Sequence, residues 1–475
     1  MKHIHLQKKK LWIIIGTLIL CVLLMCAVLG VIALSRLPHD IVYYLGNNGN
    51  TLYETGSNGK ASVIFENCKG IDITSNKDMS VSYLFVERPD GTKSLFYKSQ
   101  NKNPILISDN VVSYTVVKGK FKMVYYIAQN ENKSLYQYEC GKNSMLLSGN
   151  NNVRDFSISS DGKYYAFITD TDELYSQSNT KVADNVEKVS VTPYKNTFYY
   201  ITGDSELFYC SPDTKISDNV SEILGISADC KNIIFKTGEN VLYTDKIGSE
   251  KQKIDSDFQS LMFFISKDKN DVPIKFDFVY LKDGNAYYKN EKAEKAKLGN
   301  MVLFCKYDAA DKGFYFIEDG GDVYFSKLSN KTLKDKVKLS EEATALISDD
   351  DENVIGYVQD GDLLLLSKGK SGRRLITDVT DNYAVKKDKS IIYFYTDHSQ
   401  SADTYTLYKL DVKTMKAVKI DTDIDINAFS EIARAGDSTD ITAYFKEYSN
   451  DTGSMYIYSG KGKPVKITEA FRVYN

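Results

Sequence analysis

The chain has 475 residues, with 35 tyrosines and only seven prolines among them. Five basic residues and no acid lie in the first 36 positions, so the remainder holds 55 basic against 63 acidic side chains, about −8. This balance argues against a nucleic-acid footprint, and we expect a neutral or basic partner.

The first predicted element is an apolar stretch over residues 11–34, which is 24 residues long and carries no charge. A helix of this length, at about 1.5 Å per residue, exceeds the roughly 30 Å hydrocarbon core of a bilayer. Three lysines directly precede it, which places the N-terminus in the cytoplasm. The sequence therefore predicts a basic cytoplasmic tail over 1–10, a single-pass transmembrane helix over 11–34, a stalk over 35–40 and an extracellular repeat domain on the plasma membrane.

Two alternatives stay open for this segment. A signal peptide could be cleaved at Ala33-Leu34-Ser35, although the apolar stretch is longer than the usual core of about 7–15 residues. A lipoprotein would use Cys26, but the bulky Met25 stands where a small residue is expected.

Beyond the stalk, a short strand with an aliphatic–aromatic pair recurs eleven times at intervals of about 40 residues. The pairs, two of them degenerate, begin at Leu52, Leu95, Leu135, Leu174, Leu207, Leu242, Ala286, Val323, Leu363, Leu407 and Met455. This period, with short strands inside it, is typical of a β-propeller. The predicted fold class is all-β, a β-propeller of about eleven four-stranded units.

One unit is clearest where an Asp161-Gly162 turn separates two alternating strands, which is a strong hairpin signal. A second marker, Ile-Ser-Asp-Asn-Val or a close variant, recurs at 107–111, 182–186 and 216–220. Asp and Asn bond their own backbone and tolerate left-handed geometry, so we interpret this marker as a turn.

The hairpin from Phe156 to Phe167 resembles the repeat of TolB-type and related WD-like bacterial propellers, in which Ser-Pro-Asp-Gly precedes a hydrophobic strand. Residues 191–195, 226–230 and 347–351 are eroded copies. The resemblance implies propeller architecture over most of 41–475, and the whole chain resembles uncharacterised bacterial proteins that carry a propeller on one N-terminal helix. It implies no particular functional residue.

The two ends of the repeat region are predicted to pair. Residues 41–45 match the fourth strand of a unit, while the chain ends with strands at 455–458, 465–467 and 471–474 that lack a fourth. Pairing them would remove an open sheet edge. Because ordinary propellers have about four to eight blades, we expect two tandem rings, over 41–280 and 281–475. The boundary is placed close to residue 280, because the least regular stretch, from Lys246 to Lys275, lies near the middle of the repeats. One continuous array is the alternative.

Candidate catalytic and metal-binding residues are few, and the sequence predicts no catalytic, cofactor-binding or metal-binding site. His398 is the only histidine in the repeats and lies in a polar stretch expected to be a solvated loop. The spacing Asp421-x-Asp423-x-Asp425 begins like a calcium loop, but Ile426 stands where that loop needs glycine, so we expect an exposed strand face. The acidic run 349–352 is expected to be a turn.

Five cysteines lie outside the apolar segment without a C-x-x-C motif, and we expect them to be small buried residues. Cys210 and Cys230 are close enough in sequence to form a disulfide, which is the alternative.

These observations predict a non-enzymatic, membrane-anchored binding or sensing module for a protein, peptide or cell-envelope ligand, with no cofactor. The first alternative is a structural or assembly factor of an envelope complex. The second is an enzyme of the lactonase or lyase type with its site in a propeller channel.

Overall fold

The computed structural model shows a β-propeller of eleven blades. It describes residues 41–46, 50–56, 59–76, 80–99, 102–210, 213–291, 295–348, 354–367, 370–377, 383–385, 391–399, 401, 404–414, 416–424, 433–434, 442–449, 452–460 and 462–474. Among these residues no helix is long and apolar enough to cross a membrane, and the predicted segment 11–34 lies outside them.

Each blade is an antiparallel sheet whose strands we name A, B, C and D in chain order. Blade 1 holds β1 (Val42–Gly46), β2 (Leu52–Thr55) and β3 (Ala61–Phe65) as strands B to D. Blade 2 contains β4 (Gly70–Ser75), β5 (Val81–Glu87), β6 (Lys93–Ser99) and β7 (Ile105–Ser108), and blade 3 contains β8 (Val111–Val116), β9 (Met123–Gln129), β10 (Lys133–Glu139) and β11 (Met145–Leu146). Blade 4 contains β12 (Val153–Ile158), β13 (Tyr165–Thr169), β14 (Leu174–Ser176) and β15 (Lys181–Ala183), and blade 5 contains β16 (Val186–Val191), β17 (Phe198–Thr202), β18 (Leu207–Cys210) and β19 (Asp213–Ser217). Blade 6 contains β20 (Val220–Ile226), β21 (Asn232–Thr237), β22 (Leu242–Lys246) and β23 (Gln252–Asp255).

Blades 7 to 11 follow the same plan, with one additional short strand, β31, in blade 8. Blade 7 contains β24 (Phe258–Phe264), β25 (Phe278–Lys282), β26 (Asn285–Lys289) and β27 (Ala296–Gly299), and blade 8 contains β28 (Val302–Asp308), β29 (Gly313–Glu318), β30 (Val323–Ser329), β31 (Thr332–Leu333) and β32 (Val337–Ser340). Blade 9 contains β33 (Ala343–Ser348), β34 (Val354–Gln359), β35 (Asp362–Ser367) and β36 (Lys370–Ile376), and blade 10 contains β37 (Tyr383–Val385), β38 (Ile391–Ser399), β39 (Thr404–Asp411) and β40 (Lys416–Ile424). Blade 11 contains β41 (Ala433–Arg434), β42 (Thr442–Ser449), β43 (Thr452–Tyr458) and β44 (Val465–Tyr474). A 3₁₀ turn, Lys118–Lys120, joins β8 to β9.

The aliphatic–aromatic marker explains the regularity of the blades. The first residue of all eleven pairs lies on strand C and is 0% exposed. In nine blades the aromatic residue after it stacks on an aromatic ring of strand B; an example is Tyr175 on Phe167, with ring centroids 5.4 Å apart. One residue therefore fills the core between blades while its neighbour fastens two strands together.

The predicted pairing of the chain ends is confirmed. The first half of β44 pairs with β43 as strand D of blade 11, and its second half pairs with β1 as the missing strand A of blade 1. In that second half Tyr43 lies opposite Tyr474, and Leu45 lies opposite Arg472. One strand thus belongs to both the first and the last blade and closes the propeller.

A buried apolar cluster fills each junction between consecutive blades, from blades 1 and 2 through to blades 10 and 11. The junctions on either side of residue 280 are packed like the others, with Phe278 and Tyr280 buried between blades 6 and 7, and Val279 and Phe316 buried between blades 7 and 8. The division into rings 41–280 and 281–475 stays a prediction.

A carboxylate at the end of strand D or on strand D also links the junction of blades 6 and 7 and the junction of blades 10 and 11. Asp255 at the end of β23 accepts hydrogen bonds from Tyr280 (2.7 Å) and Lys282 (3.1 Å) on the next blade's strand B, and from Lys295 (2.8 Å). Asp421 on β40 accepts from Tyr444 and Lys446 in the same way. Burial alone would raise the pKa of Asp255, but the three hydrogen bonds outweigh it and lower that pKa to about 2.

The Asp-Asn marker forms the turn between strand D and the next strand A, as predicted. Asn110, Asn185 and Asn219 adopt left-handed backbone conformations with φ of 56°, 55° and 56°. The preceding Asp184 and Asp218 pair with lysines three residues earlier on strand D.

Candidate binding groove

Strand A is the innermost strand of a blade, because side chains on one strand A reach the backbone of the next. Arg154 on β12 donates to the carbonyl of Val186, and Lys188 on β16 donates to the carbonyl of Ser221. Since the strands are antiparallel, the connections from A to B and from C to D lie at one end of every blade. We call this end the AB end.

The A-to-B connection of blade 7, residues 265–277, is longer than the same connection in the three preceding blades. It has 13 residues, against five or six in blades 4, 5 and 6. Asp268 shapes it by accepting hydrogen bonds from the backbone nitrogens of Asn270 (2.8 Å) and Val272 (3.1 Å). We refer to residues 265–277 as the blade 7 insertion.

The blade 7 insertion spreads over the AB ends of other blades. Asn270 donates to the Tyr194 hydroxyl of blade 5 at 3.0 Å, and Asp271 lies 3.4 Å from Lys118 of blade 3. The backbone nitrogen of Ala228 in blade 6 donates to the carbonyl of Pro273 at 2.8 Å. These contacts hold the insertion against three other blades.

A groove of about 590 Å³ lies between blades 6 and 7 and opens at the AB end, beside the insertion. Its volume is in the usual range of ligand sites. Its floor is apolar and comes from strands and from the insertion: Ile234, Ile254, Phe276 and Phe278, with Ile274 on the rim at 45% exposure. Strand pairing and the junction core thus fix the floor, while loops supply the rim.

The rim of the groove is rich in lysine. Five lysines line it, together with three acidic residues: Lys231, Lys246, Lys253, Lys275, Lys289, Asp229, Glu250 and Glu291. Burial lowers the pKa of the Lys289 ammonium, and the nearby Asp277 carboxylate counters part of this effect. A local excess of positive charge therefore lies on a repeat region whose total charge is negative.

A second cavity, of about 380 Å³, lies along the inner strands of blades 4 to 6. Its charged residues are already engaged with their neighbours, since Lys236 lies 3.5 Å from Glu222 and Lys188 is bound to the carbonyl of Ser221. The floor of the groove between blades 6 and 7 is more apolar, and its cations are less engaged. We therefore take that groove as the candidate site.

The structure corrects the expectation for His398. This residue does not lie in a loop: β38 continues to Ser399, with a register shift between Thr396 and Ser399. The exposed imidazole stacks on Tyr405, with ring centroids 4.4 Å apart. This cross-strand ring contact with Tyr405 on β39 stabilises the pairing, so the polar stretch continues as a strand.

The prediction that Asp421 lies on an exposed strand face is wrong. β40 is a strand, but Asp421 turns toward blade 11, where Tyr444 and Lys446 bind it, while Asp423 is exposed. A register shift between Tyr405 and Leu407 on the paired strand breaks the simple alternation of faces. Asp425 and the acidic run 349–352 lie outside the described residues.

The five cysteines of the repeats are all free, so Cys210 and Cys230 form no disulfide. Cys68, Cys230 and Cys305 are buried, as expected, whereas Cys140 and Cys210 are partly exposed. Burial raises the pKa of the Cys305 thiol to about 12, so this group stays protonated at neutral pH.

Sequence reasoning did not find the groove. Its lining residues come from the stretch 229–291, and the part from Lys246 to Lys275 stood out only as irregular and rich in Lys and Asp. That irregularity was the available signal, because an insertion interrupts the repeat where a loop has grown longer than in neighbouring blades.

No family model and no curated protein matches the chain. Among solved structures it is similar to a eukaryotic initiation factor (TM-score 0.45, 9% identity, 92% of this chain and 98% of the other). It is also similar to the dihydro-heme d1 dehydrogenase NirN (0.33, 10%, 73% and 73%) and to the tricorn protease (0.26, 12%, 90% and 58%). The three proteins differ in activity, and we carry none of these activities over to this chain.

Proposed function

We propose that this protein is a membrane-anchored, extracytoplasmic binding module that holds a protein, peptide or cell-envelope ligand in the groove between blades 6 and 7. The observation that supports this most is the groove itself, where an apolar floor is framed by a lysine-rich rim. A rigid array of blades that carries variable loops is a common framework for recognition. We also propose, on the resemblance of the hairpin 156–167, that the propeller is of the TolB type.

The apolar stretch 11–34 supports the anchor. The described chain starts at Ile41, and β1 is a strand B, so it begins at the AB end of blade 1. In this proposal the anchor joins the propeller at the same end at which the groove opens. The ligand would then be bound on the side of the domain that faces the membrane.

Site-specific photo-crosslinking in intact cells tests this function. A p-benzoylphenylalanine at position 274, on the rim of the groove, is expected to trap one discrete partner. The same residue at position 337 serves as the control, since Val337 is similarly exposed (55%) but lies on the outer strand β32 of blade 8. Adducts that are absent at 274, or identical at both positions, would contradict a binding role for the groove.

A further inference from the structure

The lysines on the rim of the groove can be compared with lysines at equivalent positions in other blades. On strand D, Lys253 lies opposite Tyr243 in the same register that places Lys181 opposite Tyr175 and Lys338 opposite Tyr324. Repeats of one fold therefore provide an internal comparison for the groove.

In three blades the equivalent lysine is held by two carboxylates. Lys181 pairs with Glu173 and Asp184, and Lys338 lies 3.0 Å from Asp322 and 2.7 Å from Glu341. Lys215 is held in the same way by Glu206 and Asp218. One acid precedes the marker aliphatic residue of strand C, and the other follows the lysine by three positions.

Blade 6 has neither acid. The two positions are occupied by Val241 and Ser256, and among the described residues no carboxylate lies within 4 Å of the Lys253 ammonium. Lys297 of blade 7 and Lys419 of blade 10 also lack both acids, so the missing pair alone does not mark a site. What distinguishes Lys253 is the groove beside it.

Lys231 shows the same contrast. In the matching hairpin of blade 4, Ser159 donates to Asp161, and Lys163 lies 2.9 Å from that aspartate. In blade 6, Ser227 donates to Asp229 in the same way, but from Lys231 that aspartate accepts only the hydrogen bond of the backbone nitrogen (3.0 Å), and in the described part of the chain no carboxylate lies within 4 Å of the Lys231 ammonium.

The other rim charges add to this excess. Lys246 and Lys275 also lack an ion pair among the described residues. Two of the three acids of the rim are bound internally, since Asp229 accepts from Ser227 and Glu291 accepts from the backbone nitrogen of Phe276 at 3.4 Å. Four unpaired cations thus surround an apolar floor.

We propose that the groove binds an acidic peptide segment that carries one large apolar side chain. This inference rests on the proposed binding function and names its ligand class. The lysines would bind the carboxylates, and the exposed Ile274 together with the partly buried Ile254 would contact the apolar side chain above the buried floor. The local charge thereby reverses the expectation of a basic partner that the total charge suggests.

The apolar floor favours a peptide over a purely anionic polymer. A polymer of phosphates or uronates would satisfy the lysines but would leave Ile274, which is 45% exposed, uncovered. A peptide offers both kinds of group at short spacing, and the exposed Ile274 would be covered together with the floor.

The test is fluorescence anisotropy on the purified repeat domain with a labelled hexapeptide, Asp-Glu-Asp-Phe-Glu-Asp. We expect saturable binding that weakens at higher salt and falls about tenfold in the double variant Lys253→Glu/Lys275→Glu. Lys297→Glu is the matched control, since it reverses the charge of an unpaired lysine at the same strand position in the next blade. This variant should bind the peptide with an affinity within about twofold of the parent.

Three probes separate the possible ligands. A peptide with lysine in place of the acids, and one with serine in place of phenylalanine, should each bind at least about tenfold more weakly. Polyphosphate should compete poorly. Equal binding of the serine peptide together with full competition by polyphosphate would overturn the peptide in favour of an anionic polymer, and no effect of the double variant would overturn the groove as the binding site.

Crosslinking at position 274 separates this inference from the proposed function. If the partner is still trapped in the Lys253→Glu/Lys275→Glu background, the acidic ligand class is refuted while the binding role stands. If no partner is trapped in the parent chain, the binding role itself is refuted.

Discussion

Replacing Asp255 with asparagine is expected to lower the free energy of unfolding by about 2 kcal/mol. The carboxylate is 4% exposed and accepts hydrogen bonds from Tyr280, Lys282 and Lys295 across the junction of blades 6 and 7. These contacts lower its pKa from 3.8 to about 2, and each pKa unit is worth about 1.4 kcal/mol of preference for the charged form. Asparagine keeps the shape of the side chain and removes this preference.

The loss should depend on pH. Because the pKa in the folded protein lies below the ordinary value, the ionised carboxylate stabilises the fold fully above about pH 4. This contribution disappears as the pH falls toward 2, where the folded protein also takes up the proton. The parent and Asp255→Asn should therefore converge in stability over this acidic range.

Urea unfolding followed by tyrosine fluorescence measures the change, and amide hydrogen exchange in β25 shows whether the loss is local to the junction. Asp257→Asn is the control, since Asp257 lies 3.5 Å from the same Lys282 but is 68% exposed. It should cost less than about 0.5 kcal/mol. Equal costs for the two variants, or a loss in Asp255→Asn that does not change between pH 5 and 2, would refute the reasoning.

Three further predictions concern the ring, its placement and its chemistry. Deleting residues 41–46 removes the strand between β2 and β44, and should cost several kcal/mol (about 3 or more) or cause aggregation; a deletion variant that melts like the parent would contradict this closure. Protease added to protoplasts should digest the repeat domain, and protection until lysis would reject the extracellular orientation. His398→Ala should leave any hydrolytic turnover of the purified domain unchanged, whereas turnover that vanishes would assign the histidine a catalytic role.

The sequence was sufficient to predict the blades because the marker residues have a repeated physical task. A residue such as Leu207 must fill the same 0%-exposed position in each unit, and Phe208 must stack on the neighbouring strand, so both recur with the period of the fold. The closure was predictable for a related reason. Residues 41–45 look like a strand B with no strand A before it.

The groove and the fate of single polar residues were not predictable in this way. The groove depends on the blade 7 insertion, whose path across three other blades follows from contacts such as that of Asn270 with Tyr194. Asp421 and His398 depend on register shifts that move a side chain from one face of a strand to another. Neither kind of feature repeats along the chain, so no period reveals it.

The shared strand β44 imposes an order on biogenesis. Tyr43 and Tyr474 become neighbours only after all the intervening blades have been synthesised, so the growing chain must stack blade on blade as an open arc. Until β44 arrives, β1 presents an unpaired edge that fits any copy of that strand. A second chain at the same stage can supply it, which would join two arcs into a strand-exchanged dimer. A low local concentration of chains therefore favours the closed monomeric ring.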